Sequence, residues 1–329
     1  MIHLNGRRQL LAYAGAAATT LVLPVCARAQ SYPSKPIRMV VPYSAGGSSD
    51  FIGRLMAQKL GEGLGQQVIV DNKPGAGAII GTDFVAKSPP DGYTIGQIGL
   101  TTVINPSLYK KLSYDAFKDL APITTAIVSP LVLVVHPDVP ARNVQELIAY
   151  AKANPGKLNF GSAGNGNVLH LAGELFKAHA GIDITHIPYK GASAALTDLL
   201  GGRLSMMFDV LQTPLAYIQT GKLRALGTTG TQRLAMLPEV PTIAAQGLPG
   251  FEFGVWGGFA APAGTPKPVI ARLHAEFAKV LATPDVQASL AKQGMQATPS
   301  ASPEAFAQLM ASEQRKFADL IKSIGIQPE

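Results

Sequence analysis

The chain has 329 residues, 47% of them hydrophobic, and 28 Lys and Arg against 21 Asp and Glu give a formal charge of +7. Arg7, Arg8 and Arg28 fall at its very start. With no run of basic residues and no aromatic-basic stripe elsewhere, nucleic acid is excluded as a partner, and the mild positive field that remains favours acidic solutes. The single cysteine, Cys26, excludes a disulfide framework and a thiolate metal site, so stability must come from a packed core.

Arg7 and Arg8 open a positive region, Leu10 to Leu23 an apolar one, and Ala27-Arg28-Ala29 an A-x-A cleavage site, which predicts a signal peptide over 1–29 and a mature chain beginning at Gln30. The apolar segment is too short for a membrane span, and no later run approaches the roughly 18 residues one requires. Arg7-Arg8-Gln9-Leu10-Leu11 is similar to a twin-arginine signal but lacks its Ser or Thr and its Phe, so the general export route fits better. Leu23-Pro24-Val25 do not make a lipoprotein box before Cys26. The expected location is the periplasm, with Cys26 discarded and no thiol left.

A strand over Ile37 to Pro42 leads into Tyr43-Ser44-Ala45-Gly46-Gly47-Ser48-Ser49-Asp50 and then a helix bearing Phe51, Ile52, Leu55, Met56 and Leu60. A glycine loop opening a helix leaves backbone N–H groups unpaired at the positive end of the helix dipole, which suits an anion. Asp50 is expected to cap that helix and fix the loop, since a carboxylate beside a bound carboxylate repels it. Strand-like runs follow at 68–70 and 93–98, with Thr101 and Thr102 placed either to donate hydroxyls to a ligand or to stabilise a turn. The stretch Gly75 to Gly81 has its third glycine one place late for G-x-G-x-x-G, and no G-x-x-x-x-G-K-[ST] occurs, so no nucleotide cofactor is expected.

Another strand covers 131–135, and Asn143 with Glu146 marks a helix start as cap and reciprocal cap. The strand–glycine loop–helix pattern then recurs. Leu158-Asn159-Phe160 is followed by Gly161-Ser162-Ala163-Gly164-Asn165-Gly166-Asn167 and a helix carrying Leu171, Leu175 and Phe176. Two such loops suit the two ends of one small dianion. Further strands are read at 184–187, 204–208 and 223–226, with Asp209 at the end of one, where ligands of open α/β sheets tend to sit; it serves there as a ligand contact or as a cap for the turn at Thr213-Pro214. From Pro266 to Ile324 two or three amphipathic helices follow.

The alternation predicts an α/β chain of two lobes, each a mostly parallel sheet flanked by helices and each with its own core. Breaks at Val128-Ser129-Pro130 and at Gly250 to Gly254 divide it into lobe 1 (30–128 plus 254–329) and lobe 2 (129–253). The six histidines are scattered without metal-ligand spacing, so no metal is expected; His170 reads as structural and Lys190 as solvated. No G-x-S-x-G elbow occurs, and Ser48, Ser49 and Ser162 have no evident base, so no catalysis is expected.

The chain resembles the extracytoplasmic solute receptors of tripartite tricarboxylate transporters, the Bug receptors, over essentially its whole mature length. The likeness rests on Tyr32 to Ile37, Pro42 to Asp50, Asp71 to Gly77, Pro90 to Thr94, Asn105 to Tyr109, Pro155 to Leu158, Gly161 to Gly166, Pro188 to Gly191, Leu237 to Thr242 and Ala261 to Pro266. It implies a type II-like periplasmic binding protein with its ligand in the interlobe cleft, which delivers a small carboxylate to a large and a small membrane subunit. It implies ligand contacts from Tyr43, Ser44, Ala45, Gly46, Gly47 and Asp50 in the first lobe and Ser162, Gly164, Asn165 and Gly166 in the second, with Asp209 near the cleft. Tyr43 stands where the family usually has Phe, and Ala245 where a glutamate is common.

A monomeric binding protein without a cofactor is therefore expected, its ligand a di- or tricarboxylate, an acidic amino acid or an aromatic carboxylate. The competing readings are a periplasmic sensor feeding a membrane kinase and, less well supported, an exported hydrolase.

Overall fold

A buried first strand, β1 (Ile37–Val41), runs through the glycine-serine loop into α1 (Ser48–Leu64). The computed structural model describes residues 32–328; the leader, Cys26 and the expected cleavage position lie outside the described residues. There follow β2 (Val68–Asn72), α2 (Ile79–Ala86), β3 (Thr94–Gly99), α3 (Leu100–Leu108) and the long β4 (Leu120–Val135). Next come α4 (Val144–Ala153), β5 (Asn159–Ser162), α5 (Val168–Ala180), β6 (Thr185–Pro188), α6 (Ala192–Leu200), β7 (Met206–Val210), α7 (Leu215–Gln219) and β8 (Arg224–Thr228). The chain returns through β9 (Gly254–Pro262) and finishes with α8 (Lys267–Leu281), α9 (Pro284–Ala291), β10 (Gln296–Ala297) and α10 (Pro303–Ser323).

Local chemistry sets the helix ends as the sequence suggests. The Asn143 side chain accepts the Glu146 N–H at 2.8 Å, and the Glu146 carboxylate reaches back to the Arg142 N–H at 2.7 Å, the reciprocal capping arrangement displaced by one residue. Asn167 accepts the Leu169 N–H at the head of α5. Gly65 closes α1 at φ +68°, a left-handed conformation that costs glycine little.

The strand order is β2-β1-β3-β9-β4-β7-β5-β6, with β8 and β10 also paired to β4. The outer trios are parallel, β1 with β2 and β3, and β5 with β6 and β7, as alternation with helices requires. Between them β9 and β4 run antiparallel to their neighbours, because β9 enters from a loop rather than through a helical crossover. Leu120 to Pro130 of β4 pair with β9, and Leu131 to Val135 pair with β7 and β8. One strand thus serves both halves of a two-lobed α/β fold.

That shared strand corrects the expectation of separate cores. Side chains alternate along a strand, so Leu131, Leu133 and Val135 enter one cluster while Val132 and Val134 enter another. The first cluster runs from Val40 and Val103 on one side to Phe160, Phe176 and Phe208 on the other. The second, smaller one holds Leu196, Leu199 and Met207. Helix α10 packs on α3 and β4, and α8 on α1 and β4, so the C-terminal helices seal the sheet that carries the first glycine loop.

Candidate functional site

Two helices begin at one small cavity. Helix α1 starts after Gly47 and α3 after Gly99, and neither glycine supplies a side-chain cap. Ser48 and Ser49 from the first turn of α1, and Leu100 and Thr101 from that of α3, line a cavity of about 110 Å³. The positive ends of two helix dipoles therefore meet at one place, and no Lys, Arg, Asp or Glu lines it among the described residues. Val210, the last residue of β7, and Gln212, just beyond it, reach the same cavity from the other half of the fold. Such a space admits a small organic anion and is far below the several hundred Å³ of a site for a drug-sized ligand.

Of the residues singled out from sequence, Tyr43 and Thr101 line this cavity. The Thr101 hydroxyl lies beside the Tyr43 phenol, whose pKa is pushed up by burial, so the phenol stays neutral and able to donate. Ser44, Ala45, Gly46 and Gly47 are exposed on the loop outside the lining. Thr102 is buried, and its hydroxyl accepts the Gly99 N–H at 3.3 Å, a bond within the start of α3.

Asp50 sits in the first turn of α1 rather than at its cap, which is Gly47. Its carboxylate accepts from the Gly46 N–H at 2.9 Å, Arg54 Nε at 2.9 Å and Asn72 Nδ2 at 3.0 Å. The Arg54 guanidinium, with the Gly46 amide, lowers its pKa to about 2. The side chain braces the loop, as expected, and does so from inside the helix.

The second glycine loop is not brought to this cavity. Gly166, at φ +70°, packs so closely on Leu108 that a Cβ there would lie 2.5 Å from its Cδ2, which puts the loop at the far end of α3. Asn165 lines a separate cavity of about 400 Å³ together with Tyr109 and the segment 324–327. Ser162 is wholly buried. Its hydroxyl donates to the Gly164 carbonyl at 3.0 Å, accepts the Gly164 N–H at 3.1 Å and lies 2.6 Å from His186 Nε2. The expectation that Ser162 has no base nearby is thus corrected, since β5 and β6 pair so as to place His186 beside it. The Ser162 hydroxyl closes its own loop.

Asp209, at the end of β7, is 1% exposed. One carboxylate oxygen accepts the Val210 N–H at 2.8 Å, and the other has no hydrogen-bond partner among the described residues. Burial raises its pKa to about 7. It stands one residue before the cavity lining rather than in it.

Sequence reasoning passed over three residues that line the cavity with unpartnered polar atoms: Gln97 Oε1, both amide atoms of Gln212 and Trp256 Nε1. Gln97 left a signal, a lone amide in the apolar strand 95–98. Gln212 and Trp256 left none, because their burial depends on β7 and β9 meeting β4. The described residues hold no group of three or more metal-ligating side chains that could bind a metal.

The model of the family "Tripartite tricarboxylate transporter family receptor" matches residues 52–326. The chain belongs to this family. It is 44% identical over 317 residues to the UPF0065 protein of the tcbD-tcbE intergenic region of Pseudomonas sp. strain P51, covering 96% of this chain and 94% of that one. Among solved structures it is similar to R. palustris Rpa4515 with adipate, at 32% identity and a TM-score of 0.77, covering 91% of this chain and 100% of the other. A second is MatC from Rhodopseudomonas palustris with bound malate, at 30% identity and a TM-score of 0.71, covering 88% and 100%. The family is one of solute-binding receptors, and no helix among the described residues is long and apolar enough to cross a membrane.

Proposed function

We propose that this receptor captures a small carboxylate at the cavity where α1 and α3 begin, and passes it from the periplasm to the large and small membrane subunits of a tripartite transporter. One observation carries the reading: two helix N-termini without side-chain caps meet at a cavity lined by no charged side chain. The N–H groups of Ser48, Ser49, Leu100 and Thr101, with the Tyr43 and Thr101 hydroxyls, supply the donors an anion needs. Adipate in Rpa4515 and malate in MatC, both carboxylates, support the choice of ligand.

In this reading the lobes are 30–128 plus 254–329 and 129–253, hinged where β4 passes from β9 to β7. Closure narrows the cavity between Val210 and Gln212 on one side and the starts of α1 and α3 on the other. The buried Ser162 hydroxyl, shut off from solvent, favours binding over hydrolysis. Export with cleavage after Ala29 places the protein where such a ligand arrives.

A thermal-shift screen of carboxylates tests the capture step. A ligand at 100 times its dissociation constant adds about 2.7 kcal/mol, which appears as a raised melting temperature. Absence of any shift across di-, tri- and aromatic carboxylates at millimolar concentration overturns the reading. Small-angle scattering at saturating ligand should show contraction if the lobes close.

A further inference from the structure

The cavity holds more unpartnered hydrogen-bonding groups than a carboxylate can use. Gln97 and Trp256 are 5% and 4% exposed, yet Gln97 Oε1 and Trp256 Nε1 have no hydrogen-bond partner among the described residues. Both line the cavity, as does Gln212, whose amide nitrogen and oxygen are likewise buried and unpartnered. Buried polar atoms left unpaired are costly, and native proteins satisfy nearly all of them. These four atoms divide into two donors and two acceptors.

We infer that Gln97, Gln212 and Trp256 read a hydroxyl on the bound acid, so that this receptor selects hydroxy acids over their deoxy counterparts. The inference rests on the capture of a carboxylate at this cavity and adds what its uncharged wall recognises. A second carboxylate, or a keto oxygen, only accepts; it would pair with Trp256 Nε1 or Gln212 Nε2 and leave both glutamine oxygens facing another acceptor. An ammonium only donates, leaving the indole N–H unpaired, and no carboxylate lines the cavity to offset its charge. A hydroxyl does both at one atom: it accepts from the indole N–H and donates to a glutamine oxygen. A site built to bind a hydroxyl rejects the analogue lacking it strongly, because its own buried groups are then unpaired.

Calorimetric titration of the full-length mature protein with matched acids decides the matter. The pairs are lactate and propionate, malate and succinate, and mandelate and phenylacetate, with aspartate as the ammonium analogue of malate. In the pair that binds best, the hydroxy acid is expected to bind at least tenfold more tightly than its deoxy partner. Gln97→Met, which keeps the side-chain shape, should cut that ratio severalfold, chiefly by weakening the hydroxy acid. Trp256→Phe should do the same; where it lowers the melting temperature too far for titration, Gln97→Met alone decides.

Equal or tighter binding of the deoxy acid in the best-binding pair, or of aspartate over malate, overturns hydroxyl reading while leaving carboxylate capture intact. So does an unchanged ratio in Gln97→Met. Failure of every carboxylate to bind removes hydroxyl reading together with the capture on which it rests.

Discussion

The imidazole rings of His170 and His186 lie stacked, centroids 3.7 Å apart and 16° from parallel, and each is tied to one end of the second glycine loop. His186 Nε2 meets the Ser162 hydroxyl at 2.6 Å, and His170 Nδ1 accepts the Gly166 N–H at 3.0 Å. That acceptance assigns the His170 proton to Nε2, which faces Glu174 Oε1 at 3.6 Å. Two helical turns of α5 and one residue of β6 therefore hold the loop shut from beneath.

Burial, with the neighbouring His170, lowers the His186 pKa from 6.5 to about 4. A histidine with a depressed pKa favours folding in its neutral form, so its contribution is complete above pH 6.5 and is lost as the pH falls toward 4. Glu174, whose pKa is also lowered, adds to the loss in the same direction. Melting curves between pH 8 and pH 4 should show wild-type stability falling below pH 6.5, and His186→Gln should flatten that part of the profile. Parallel profiles for the two proteins would remove His186 as its cause.

Asp209 acts with the opposite sign. Its pKa rises from 3.8 to about 7 on burial, so the folded state disfavours the carboxylate, and the penalty is complete above pH 7 and relieved as the pH falls toward 3.8. Asp209→Asn, which removes the buried charge and keeps a polar group of the same shape, should raise stability at pH 8 by on the order of 1–4 kcal/mol, and the gain should shrink toward pH 4. Chemical denaturation at both pH values measures it, and a gain independent of pH would place its origin elsewhere.

Ser162→Ala separates the two roles considered for that hydroxyl. The ligand contact that the family resemblance implies for Ser162 predicts a loss of ligand affinity. The structure, in which the hydroxyl joins Gly164 and His186 inside the protein, predicts a loss of stability on the order of 1–3 kcal/mol and only a secondary loss of affinity. Thermal melting and calorimetry on the same variant report both quantities; a tenfold affinity loss with an unchanged melting temperature would restore the first reading.

Asp50→Asn tests the brace on the first loop. The substitution removes the charge that Arg54 and the Gly46 amide face and should cost on the order of 1 kcal/mol of stability. Affinity for a carboxylate should fall about tenfold as the start of α1 loosens, a change of roughly 1.4 kcal/mol. Unchanged affinity would mean that the loop holds its shape without Asp50.

The first half of β4 and all of β9 were not read from the chain, but the alternation of strands and helices up to β8 and the reciprocal caps at Asn143 and Glu146 were. Each arises from residues within a few positions of one another, where periodicity, capping chemistry and glycine content act directly. The family likeness was legible too, through short motifs spread along the whole length. The joining of the two cores was not, because only the pairing of β4 with β9 on one stretch and with β7 and β8 on the next lets one cluster run through both halves.

The amino-acid sequence by itself thus determined where glycine loops open helices, but not which of them keep backbone N–H groups free, since Ser162, His170 and Asn167 take up those of the second loop. Only the tertiary structure decided which of those loops share a cavity. Helix α3 begins beside Tyr43 and ends against Gly166, so the partner of the first loop is the start of α3 rather than the second loop. The same holds for Gln97, Gln212 and Trp256: an amide or an indole shows a demand for hydrogen bonds in any sequence, but whether that demand is met locally or turned toward a ligand is settled when strands from three parts of the chain close around it.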